Sequence, residues 1–167
     1  IVPGKYEGSN SNGILQETFD CVDWFNIMTY DDFSTSVPGI HHSPMSLMEV
    51  AYNYWIVKRG LPTHKFVGGI PIYGRASGIT QSGTTMTYKS ILAQGGSPDE
   101  NSAWVTSSSY NGGNTPYEVF YNGRPLVREK TRFCIDKGLG GVMFWEAGQD
   151  THDDTSIIKT AYDEAKK

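Results

Sequence analysis

The sequence has 167 residues, enough for one hydrophobic core, and one domain is the expectation for this length. Its 18 acidic side chains outnumber the 14 Lys and Arg, and a net charge of -4 without a basic stripe argues against nucleic acid as a partner. No apolar run approaches the roughly 20 residues that cross a bilayer, so no membrane association is predicted. The cysteines, Cys21 and Cys134, are too few for a disulfide framework and leave the redox compartment undecided.

Residues 1–4 are predicted to be the end of a strand, and the next strand begins at Val22 and runs to Met28. This second segment is almost continuously apolar and aromatic, which is typical of a parallel strand buried on both faces. Polar groups follow at once, with Tyr30 and Asp31 placed where the strand would meet its loop. Because ligand sites of α/β sheets and barrels lie at the carboxyl ends of strands, both residues are candidates for a site. The alternative is a Tyr that packs on its neighbour and an Asp that caps a turn.

A helix is predicted to begin after Ser43, which is suited to the N-cap, with Pro44 in the first helical position. Apolar side chains then recur at positions i, i+3, i+4 and i+7 and predict a core face formed by Met48, Ala51, Tyr52 and Trp55. Gly60 is suited to the position beyond the helix end, where a left-handed conformation is common.

The next strand is predicted over Lys65–Tyr73, and it again ends in polar residues, here Tyr73 and Arg75. Two adjacent glycines at positions 68 and 69 indicate that another backbone or a crowded interior comes close. Pro71 cannot donate to a sheet ladder, so a bulge or the end of pairing is expected there. A strand, a helix and a strand in this order predict a right-handed β-α-β unit.

Residues 76–124 interrupt this alternation with clusters of Gly, Ser and Thr. They hold one short predicted helix over Tyr88–Gln94 and β-like segments at Ala103–Thr106 and Tyr117–Tyr121. A connection of this length is too long for a plain loop between a strand and a helix. It is therefore expected to be an insertion that lies over the face where the strands end.

Helical periodicity resumes at Pro125, and a third strand follows over Gly140–Trp145. Polar residues come directly after this strand as well, beginning with Glu146. A last helix is predicted with Asp153 or Asp154 as its cap. Acidic residues at its start and two lysines at its end both complement the helix dipole.

The order of elements predicts the α/β class, either as a doubly wound sheet or as a (β/α)8 barrel. A barrel takes about 250 residues. Three strands cannot close a barrel, and their open edges would invite aggregation. On the barrel interpretation this chain is expected to be one part of a larger domain, with the upstream part missing.

Four segments of the sequence form a specific signature when they are taken together, although each is weak alone. They are residues 22–31 (Val-Asp-Trp-Phe-Asn-Ile-Met-Thr-Tyr-Asp), residues 69–75 (Gly-Ile-Pro-Ile-Tyr-Gly-Arg), the insertion at 76–124, and residues 140–146 (Gly-Gly-Val-Met-Phe-Trp-Glu). In this order they resemble glycoside hydrolase family 18, the chitinase family, in its sixth strand, seventh strand, insertion and eighth strand. The resemblance implies a partial (β/α)8 TIM barrel. Segments 1–75 and 125–167 would belong to the barrel, starting at the end of its fifth strand, and 76–124 would be a short insertion after the seventh strand.

The resemblance further implies retaining hydrolysis of β-1,4-linked N-acetylglucosamine, in which the sugar's own acetamido oxygen attacks the anomeric carbon. Tyr30 would hydrogen-bond that oxygen and Asp31 would hold the sugar beside the acid, so these are the expected catalytic residues. The expected substrate-binding residues are Met28 in the acetamido pocket, Tyr73 and Arg75 on sugar hydroxyls, Trp145 as the floor, and Glu146. The alternatives are a core position for Trp145 and a salt bridge from Arg75 to a neighbouring acid.

One departure from the family pattern concerns activity. The family's general acid closes an Asp-x-x-Asp-x-Asp-x-Glu motif on the fourth strand, and Asp20 and Asp23 begin this spacing without completing it. The chain alone is therefore expected to be an inactive fragment, with the N-terminal half of the barrel as its missing partner. A chitinase-like lectin, an endo-N-acetylglucosaminidase and a spore-wall glycan hydrolase of the same family are the alternatives. Because chitin and related glycans lie outside cells, the resemblance favours an extracellular or secreted protein.

Other chemistry is not indicated by the sequence. The histidines at 41, 42, 64 and 152 lack the spacing of a metal site and are expected in solvated loops, so neither a metal nor a cofactor is predicted. The glycine-rich segment near residue 140 precedes a strand instead of following one, so it is no dinucleotide-binding loop. No Gly-x-Ser-x-Gly nucleophile elbow occurs.

Overall fold

The computed structural model describes residues 4–167, so the predicted strand end at residues 1–4 lies almost entirely outside the described residues. Within this range the strands are, in chain order, β1 (Phe25–Ile27), β2 (Phe66–Pro71), β3 (Tyr73–Ala76), β4 (Met86–Thr87), β5 (Ser102–Val105), β6 (Tyr117–Phe120) and β7 (Gly141–Trp145). The α-helices are α1 (Ser9–Asn12), α2 (Thr18–Cys21), α3 (Met45–Tyr52), α4 (Tyr88–Ala93), α5 (Arg124–Asp136) and α6 (Ile157–Ala165). A π-helical turn at Asn53–Lys58 extends α3, and 3-10 turns occupy Thr63–Lys65, Asn111–Gly113 and Ala147–Gln149. None of these helices combines the length and the apolarity that a bilayer crossing requires.

The strands form two sheets with different pairing. One sheet is parallel, in the order β1-β2-β7, and the other is antiparallel, in the order β4-β3-β6-β5. Helix α3 connects β1 to β2, and α5 precedes β7, so helices alternate with the parallel strands. The α/β class predicted from the sequence is confirmed.

The parallel ladder of β2 ends at Pro71, as predicted. Pro71 pairs with Trp145 at the last position of the ladder, and the next residue, Ile72, donates its N–H to the Trp145 carbonyl at 2.7 Å. The Ile72 carbonyl then accepts the N–H of Tyr88 at 3.0 Å, and β3 continues into the antiparallel sheet. The strand predicted over Lys65–Tyr73 is thus divided between two sheets at the point where proline lacks an N–H for the ladder.

Helix α3 buries the apolar face that its sequence periodicity predicts. Met48, Ala51 and Trp55 are fully buried, while Tyr52 is only partly buried. The Trp55 ring packs against Phe25 of β1 with ring centroids 5.5 Å apart, so the helix and the strand share one core. The helix ends before Gly60, whose φ of +70° is the left-handed conformation expected there.

The predicted N-cap of α3 is wrong. The helix begins at Met45, and Pro44 in an extended conformation occupies the N-cap without a side-chain hydrogen bond. The hydroxyl of Ser43 instead donates to the Thr29 carbonyl at 2.6 Å. Both residues are fully buried, and a buried strand-end carbonyl needs a partner more than a partly solvated helix end does.

The predicted cap of α6 is also wrong. The cap is Ser156, whose hydroxyl accepts the N–H of Lys159 at 3.0 Å, and neither Asp153 nor Asp154 takes this position. The carboxylate of buried Asp150 accepts the first two backbone N–H groups of the helix at 3.1 and 3.0 Å. A carboxylate at a helix N-terminus also complements the helix dipole, so this tertiary cap replaces the local one.

The segment 76–124 contains the elements predicted for it. Helix α4 matches the helix predicted over Tyr88–Gln94, and β5 and β6 match the two β-like segments. Its apolar side chains belong to the same core as β2 and the last two helices, a cluster that includes Ile70, Val119, Val127 and Ile157. The segment therefore packs continuously with the α/β part of the chain.

Two glycines of β2 have close neighbours on the side where a Cβ atom would lie, as predicted. A Cβ atom at Gly69 would lie 2.7 Å from the Ile27 carbonyl oxygen and 2.7 Å from the Tyr30 ring. A Cβ atom at Gly68 would lie 2.7 Å from the end of the Met48 side chain. The Tyr30 ring thus packs directly on the backbone of β2.

The Gly69→Ala variant should lower the free energy of unfolding by about 1–3 kcal/mol, the usual cost of an overpacked interior site. Chemical denaturation measures this change. Gly148→Ala is the matched control, because a Cβ atom at Gly148 meets nothing within 4 Å. Equal stabilities of the two variants would contradict the tight packing of Tyr30 on β2.

Candidate active site

The polar residues that follow β1 and β2 meet at one edge of the parallel sheet. The Tyr73 hydroxyl donates to Asp31 Oδ1 at 2.7 Å, and Arg75 Nε donates to the same oxygen at 2.5 Å. The Tyr30 ring lies edge-on to Tyr73, with ring centroids 6.3 Å apart. The structure therefore brings together Tyr30, Asp31, Tyr73 and Arg75, all of which the sequence predicts as site residues.

Asp31 is constrained in both its backbone and its charge. Its φ of +62° lies in the left-handed region, which Asp tolerates better than most L-residues. Burial acts to raise the pKa of its carboxyl, but the hydrogen bonds from Arg75 and Tyr73, together with the charge of Arg75, outweigh burial and hold this pKa well below its usual range. Asp31 therefore stays ionised at neutral and mildly acidic pH.

Two phenols beside Asp31 keep their protons. Tyr30 is only 3% exposed, and burial together with the nearby charge of Asp31 raises the pKa of Tyr30 to about 12. Burial and the hydrogen bond to Asp31 likewise raise the pKa of Tyr73 above its usual value. Both tyrosines are hydrogen-bond donors at neutral pH, and the single O–H of Tyr73 is already donated to Asp31.

Arg75 connects Asp31 to the antiparallel sheet and the loop after β1. Its guanidinium lies 4.7 Å from the centroid of the Phe33 ring and donates to the Thr85 hydroxyl at 3.3 Å. The salt bridge to a neighbouring acid, given as the alternative for this residue, is present as the Arg75–Asp31 pair. A contact between Arg75 and a sugar stays a prediction.

A cavity of about 290 Å³ opens beside Tyr30 and Asp31. Met28 lines it together with these two residues, and residues 4–11 form the facing wall. Lys5 fixes that wall to the strand end, because its ammonium donates to the carbonyls of Tyr30 at 2.9 Å and Asp31 at 3.1 Å. The cavity therefore places the apolar Met28 side chain among polar groups at the end of the strand.

Trp145 and Glu146 lie at the end of β7 and are exposed. Trp145 pairs with Pro71 at the end of the parallel ladder and is 56% exposed, so it does not lie in the core formed by residues 4–167. Glu146 accepts a hydrogen bond from Gln149 at 3.3 Å. Within residues 4–167 neither residue hydrogen-bonds the Asp31 side chain, so they lie outside the cluster formed by Asp31, Tyr73 and Arg75.

Two histidines predicted in solvated loops belong to this cluster, so that prediction is wrong for them. His42 is fully buried, and its Nδ1 accepts the backbone N–H of Asp31 at 3.3 Å. His41 stacks on His42 with ring centroids 5.8 Å apart, and its Nε2 lies 2.8 Å from the Tyr121 carbonyl oxygen. Burial lowers the pKa of both rings, to about 4 for His41, so both are neutral at pH 7.

The error has a simple cause: a loop of polar sequence between a strand and a helix gives no sign that it is covered by another segment. The insertion covers it here through the Tyr121 backbone. The histidines at 64 and 152 are exposed, as predicted. Among residues 4–167, no group of three or more His, Cys, Asp and Glu side chains is arranged to hold a metal ion.

A buried lysine closes a polar network behind the site. Lys130 of α5 is fully buried and donates at 2.7 Å to three acceptors, the carbonyl and hydroxyl of Ser43 and the amide oxygen of Asn122. Ser43 in turn bonds Thr29, whose hydroxyl donates to the Gly69 carbonyl at 2.7 Å. The network joins α5, the end of the insertion and both parallel strands that lead to the site. The sequence analysis did not identify Lys130, since a lysine in an amphipathic helix usually faces solvent.

The sequence profile of glycosyl hydrolases family 18 matches residues 1–150 of this chain. With the fold and the strand-end cluster described above, this match shows that the chain belongs to glycosyl hydrolase family 18, as its resemblance implies. The family and the α/β fold are thus shown.

Named relatives are similar over most of this chain but extend well beyond it. Endochitinase 1 of Metarhizium robertsii is 28% identical over 170 residues, which cover 84% of this chain and 39% of that protein. Chitinase C of Streptomyces lividans is 29% identical over 156 residues, or 78% of this chain and 25% of that protein. This chain therefore spans less than half the length of these relatives.

Solved chitinase structures share the fold at low sequence identity. A chitinase from Bacteroides thetaiotaomicron superposes with a TM-score of 0.77 at 24% identity, covering 98% of this chain and 50% of that one. A GH18 chitinase from Flavobacterium johnsoniae gives a TM-score of 0.75 at 23% identity over 98% of this chain and 48% of that one. These likenesses establish the fold alone.

The Lys130→Met variant should change how stability depends on pH. Burial lowers the pKa of Lys130 to about 7 from its usual 10.5, so between these values the unfolded chain binds the proton that the folded chain releases. The wild-type free energy of unfolding should therefore rise with pH across this window, by at most about 1.4 kcal/mol per pH unit from this group. The variant should lack that rise.

Urea denaturation at several pH values between 7 and 9.5, a window of about 2.5 units chosen to stay below tyrosine ionisation, measures this slope. Lys89→Met is the control, since Lys89 is exposed. The same slope in wild type and Lys130→Met would show that the buried lysine does not titrate in this range.

Proposed function

We propose that this chain is part of the catalytic domain of a chitinase that cleaves β-1,4-linked N-acetylglucosamine with retention of configuration. The observation that carries the proposal is the ionised Asp31 carboxylate, fixed by Tyr73 and Arg75 beside the protonated phenol of Tyr30 at the end of a parallel strand. The names of the relatives support the activity. The substrate class is supported by a class V chitinase from Cycas revoluta that was solved in complex with (GlcNAc)3. Because chitin is an extracellular polymer, we propose a secreted enzyme.

In this proposal β1, β2 and β7 are the sixth, seventh and eighth strands of a (β/α)8 barrel. Their parallel order and the helices between them support the assignment. The solved chitinase chains, of which this chain covers about half, support it as well. Segments 1–75 and 125–167 are assigned to the barrel and 76–124 to the insertion, although β3 continues across residue 75 into the antiparallel sheet. The N-terminal half of the barrel is the missing partner that supplies the other strands.

Tyr30 and Asp31 act on the acetamido group of the sugar at the cleavage point. Tyr30 donates its O–H to the acetamido oxygen and orients it for attack on the anomeric carbon. Asp31 holds the sugar in register and stabilises the positive charge that develops on the oxazolinium-like intermediate, since it remains ionised. Met28 lines the cavity next to both residues and suits the methyl group of the acetamide.

The proton donor comes from outside this chain. Asp31 is unsuited to the role because its hydrogen bonds hold the pKa of its carboxyl well below the usual range. Glu146 is exposed and follows β7, at a position that the resemblance does not make a proton donor. We assign the general acid to a Glu that closes the Asp-x-x-Asp-x-Asp-x-Glu motif upstream. The chain alone should therefore be inactive.

The remaining site residues bind the sugar chain. Trp145 exposes a flat indole at the end of β7, on which a sugar ring can stack as the floor of the cleft. Arg75 retains guanidinium N–H groups beyond the one given to Asp31 and donates them to sugar hydroxyls. Tyr73 has no second proton to donate, so it contributes as an acceptor and by holding Asp31. Glu146 is an exposed acceptor next to Trp145.

The Tyr30→Phe variant removes the hydroxyl and keeps the ring that packs on Gly69. In the full-length protein, kcat on N-acetylglucosamine oligomers should fall about 10²–10³-fold, the loss typical of removing one oriented donor. Steady-state kinetics measure this change, and Tyr162→Phe on the exposed side of α6 is the matched control. Unchanged turnover of Tyr30→Phe would refute the proposed mechanism.

The intact mass and N-terminal sequence of the native protein test the barrel assignment and the source of the acid. We expect a mass about twice the 18.5 kDa of this chain, near the size of a complete barrel, and the complete acidic motif upstream. A larger protein that lacks the final Glu of that motif would favour the lectin alternative. A folded, monomeric native protein of 167 residues would contradict the barrel assignment.

A further inference from the structure

His42 faces Asp31 from the loop that precedes α3. Its ring is fully buried, stacks on His41 and lies 5.4 Å from the Tyr73 ring centroid. Its Nδ1 accepts the backbone N–H of Asp31 at 3.3 Å and lies 3.7 Å from the Asp31 carboxylate. One ring atom therefore lies next to both the backbone and the side chain of Asp31.

The backbone of His42 makes a second contact with the same turn. Its carbonyl accepts the N–H of Asp32 at 3.0 Å. The N–H groups of Asp31 and Asp32 are thus both bound by His42, one by the ring and one by the carbonyl. This pairing matters because Asp31 has a φ of +62° and takes no part in the β1 ladder, whose register ends at Ile27.

The contact with Asp31 also defines the tautomer of His42. A ring nitrogen that accepts from an N–H group carries no proton, so the proton of the neutral ring lies on Nε2. The Nε2 atom is buried and has no hydrogen-bond partner among residues 4–167. An unsatisfied buried donor such as this Nε2–H is unfavourable. The hydrogen bond between Nδ1 and the Asp31 N–H offsets part of that cost and favours this ring orientation.

The neighbours of His42 hold the ring in place. His41 accepts the N–H of Ser43 on Nδ1 at 2.9 Å and reaches the Tyr121 carbonyl with Nε2, which anchors the loop under the insertion. On the other side of the loop, Ser43 is bound by the ammonium of Lys130. These contacts hold the loop on both sides of His42.

We propose that His42 is a positioning residue for Asp31, which it holds in the left-handed conformation so that the carboxylate faces the substrate. It acts through Asp31 and does not touch the sugar, since its side chain is fully buried. This inference rests on the proposed function, in which Asp31 acts on the substrate. Nothing in the sequence spacing indicated the role.

The test compares two substitutions of similar size in the full-length protein. The amide oxygen of His42→Asn can occupy the place of Nδ1 and accept the Asp31 N–H, whereas His42→Gln places its amide near Nε2 and cannot. Both variants lose the ring contacts with His41 and Tyr73, so the comparison isolates the acceptor. We expect kcat/KM on N-acetylglucosamine oligomers to fall on the order of tenfold in His42→Gln, the loss of one buried hydrogen bond to the site, and to be largely retained in His42→Asn.

A double-variant cycle separates action through Asp31 from a general loss of stability. The Asp31→Asn/His42→Gln protein should lose no more kcat/KM than Asp31→Asn alone, because residues that act as a unit are not additive. If the kcat/KM loss of the double variant equals the product of the two single-variant losses, His42 acts independently of Asp31 and the inference is overturned. His152→Gln is the control for a histidine substitution at an exposed position.

The outcomes also distinguish this inference from the proposed function. If Asp31→Asn lowers kcat/KM and His42→Gln does not, the inference alone is overturned. If Asp31→Asn leaves kcat/KM unchanged, the proposed role of Asp31 is overturned, and the inference with it. Thermal denaturation of each variant accompanies the kinetics. If His42→Gln does not fold, His42→Asn decides: it should retain kcat/KM within about threefold of wild type, and a larger loss in a folded protein contradicts the role of the acceptor.

Discussion

The site is organised around a carboxylate that is partly withdrawn from water. The Asp31 side chain is 36% exposed, and the burial of the rest would favour its neutral form. Donors from Tyr73 and Arg75 on β3 offset that penalty and keep the carboxyl charged. Because Asp31 follows β1 and both donors lie on β3, the charge of Asp31 depends on the correct packing of the strand end against the antiparallel sheet.

The route of the chain at Ile72 delivers these donors. Pro71 ends the parallel ladder, and the backbone turns from β2 into β3 within one residue. The Ile72 backbone hydrogen-bonds both Trp145 and Tyr88. The two sheets are therefore joined directly before Tyr73, whose hydroxyl donates to Asp31. The position of the donors is therefore a property of the junction between the sheets and does not rest on flexible loops.

A second polar network supports the same strand end from behind. Lys130 is an ionisable side chain in a fully buried position, and its side-chain nitrogen donates hydrogen bonds to three acceptors at 2.7 Å. Two of those acceptors belong to Ser43, next to His42, and Ser43 also bonds the carbonyl of Thr29 just before Tyr30. The helix α5, the insertion and the strand end are thus linked by buried polar groups, which are sensitive to the loss of any partner.

The sequence predicted Tyr30, Asp31, Tyr73 and Arg75 as site residues, through their places at strand ends and through the resemblance to the family. The structure brings them together because carboxyl ends of parallel strands share one edge of a sheet. The sequence prediction failed for the caps of α3 and α6, where buried groups such as the Thr29 carbonyl and the Asp150 carboxylate changed the local pairing. It also failed for His41 and His42, since burial by the insertion leaves no pattern in a short polar loop.

By itself the sequence determined the family, the order of strands and helices, and which side chains stand at strand ends, because periodicity and local motifs depend on neighbours along the chain. Only the tertiary structure decided which polar groups bind one another: Asp31 with His42, 11 residues apart, and Ser43 with Lys130, 87 residues apart. Such pairs form because burial removes the water that would otherwise satisfy each group, and which groups are buried together is decided by packing.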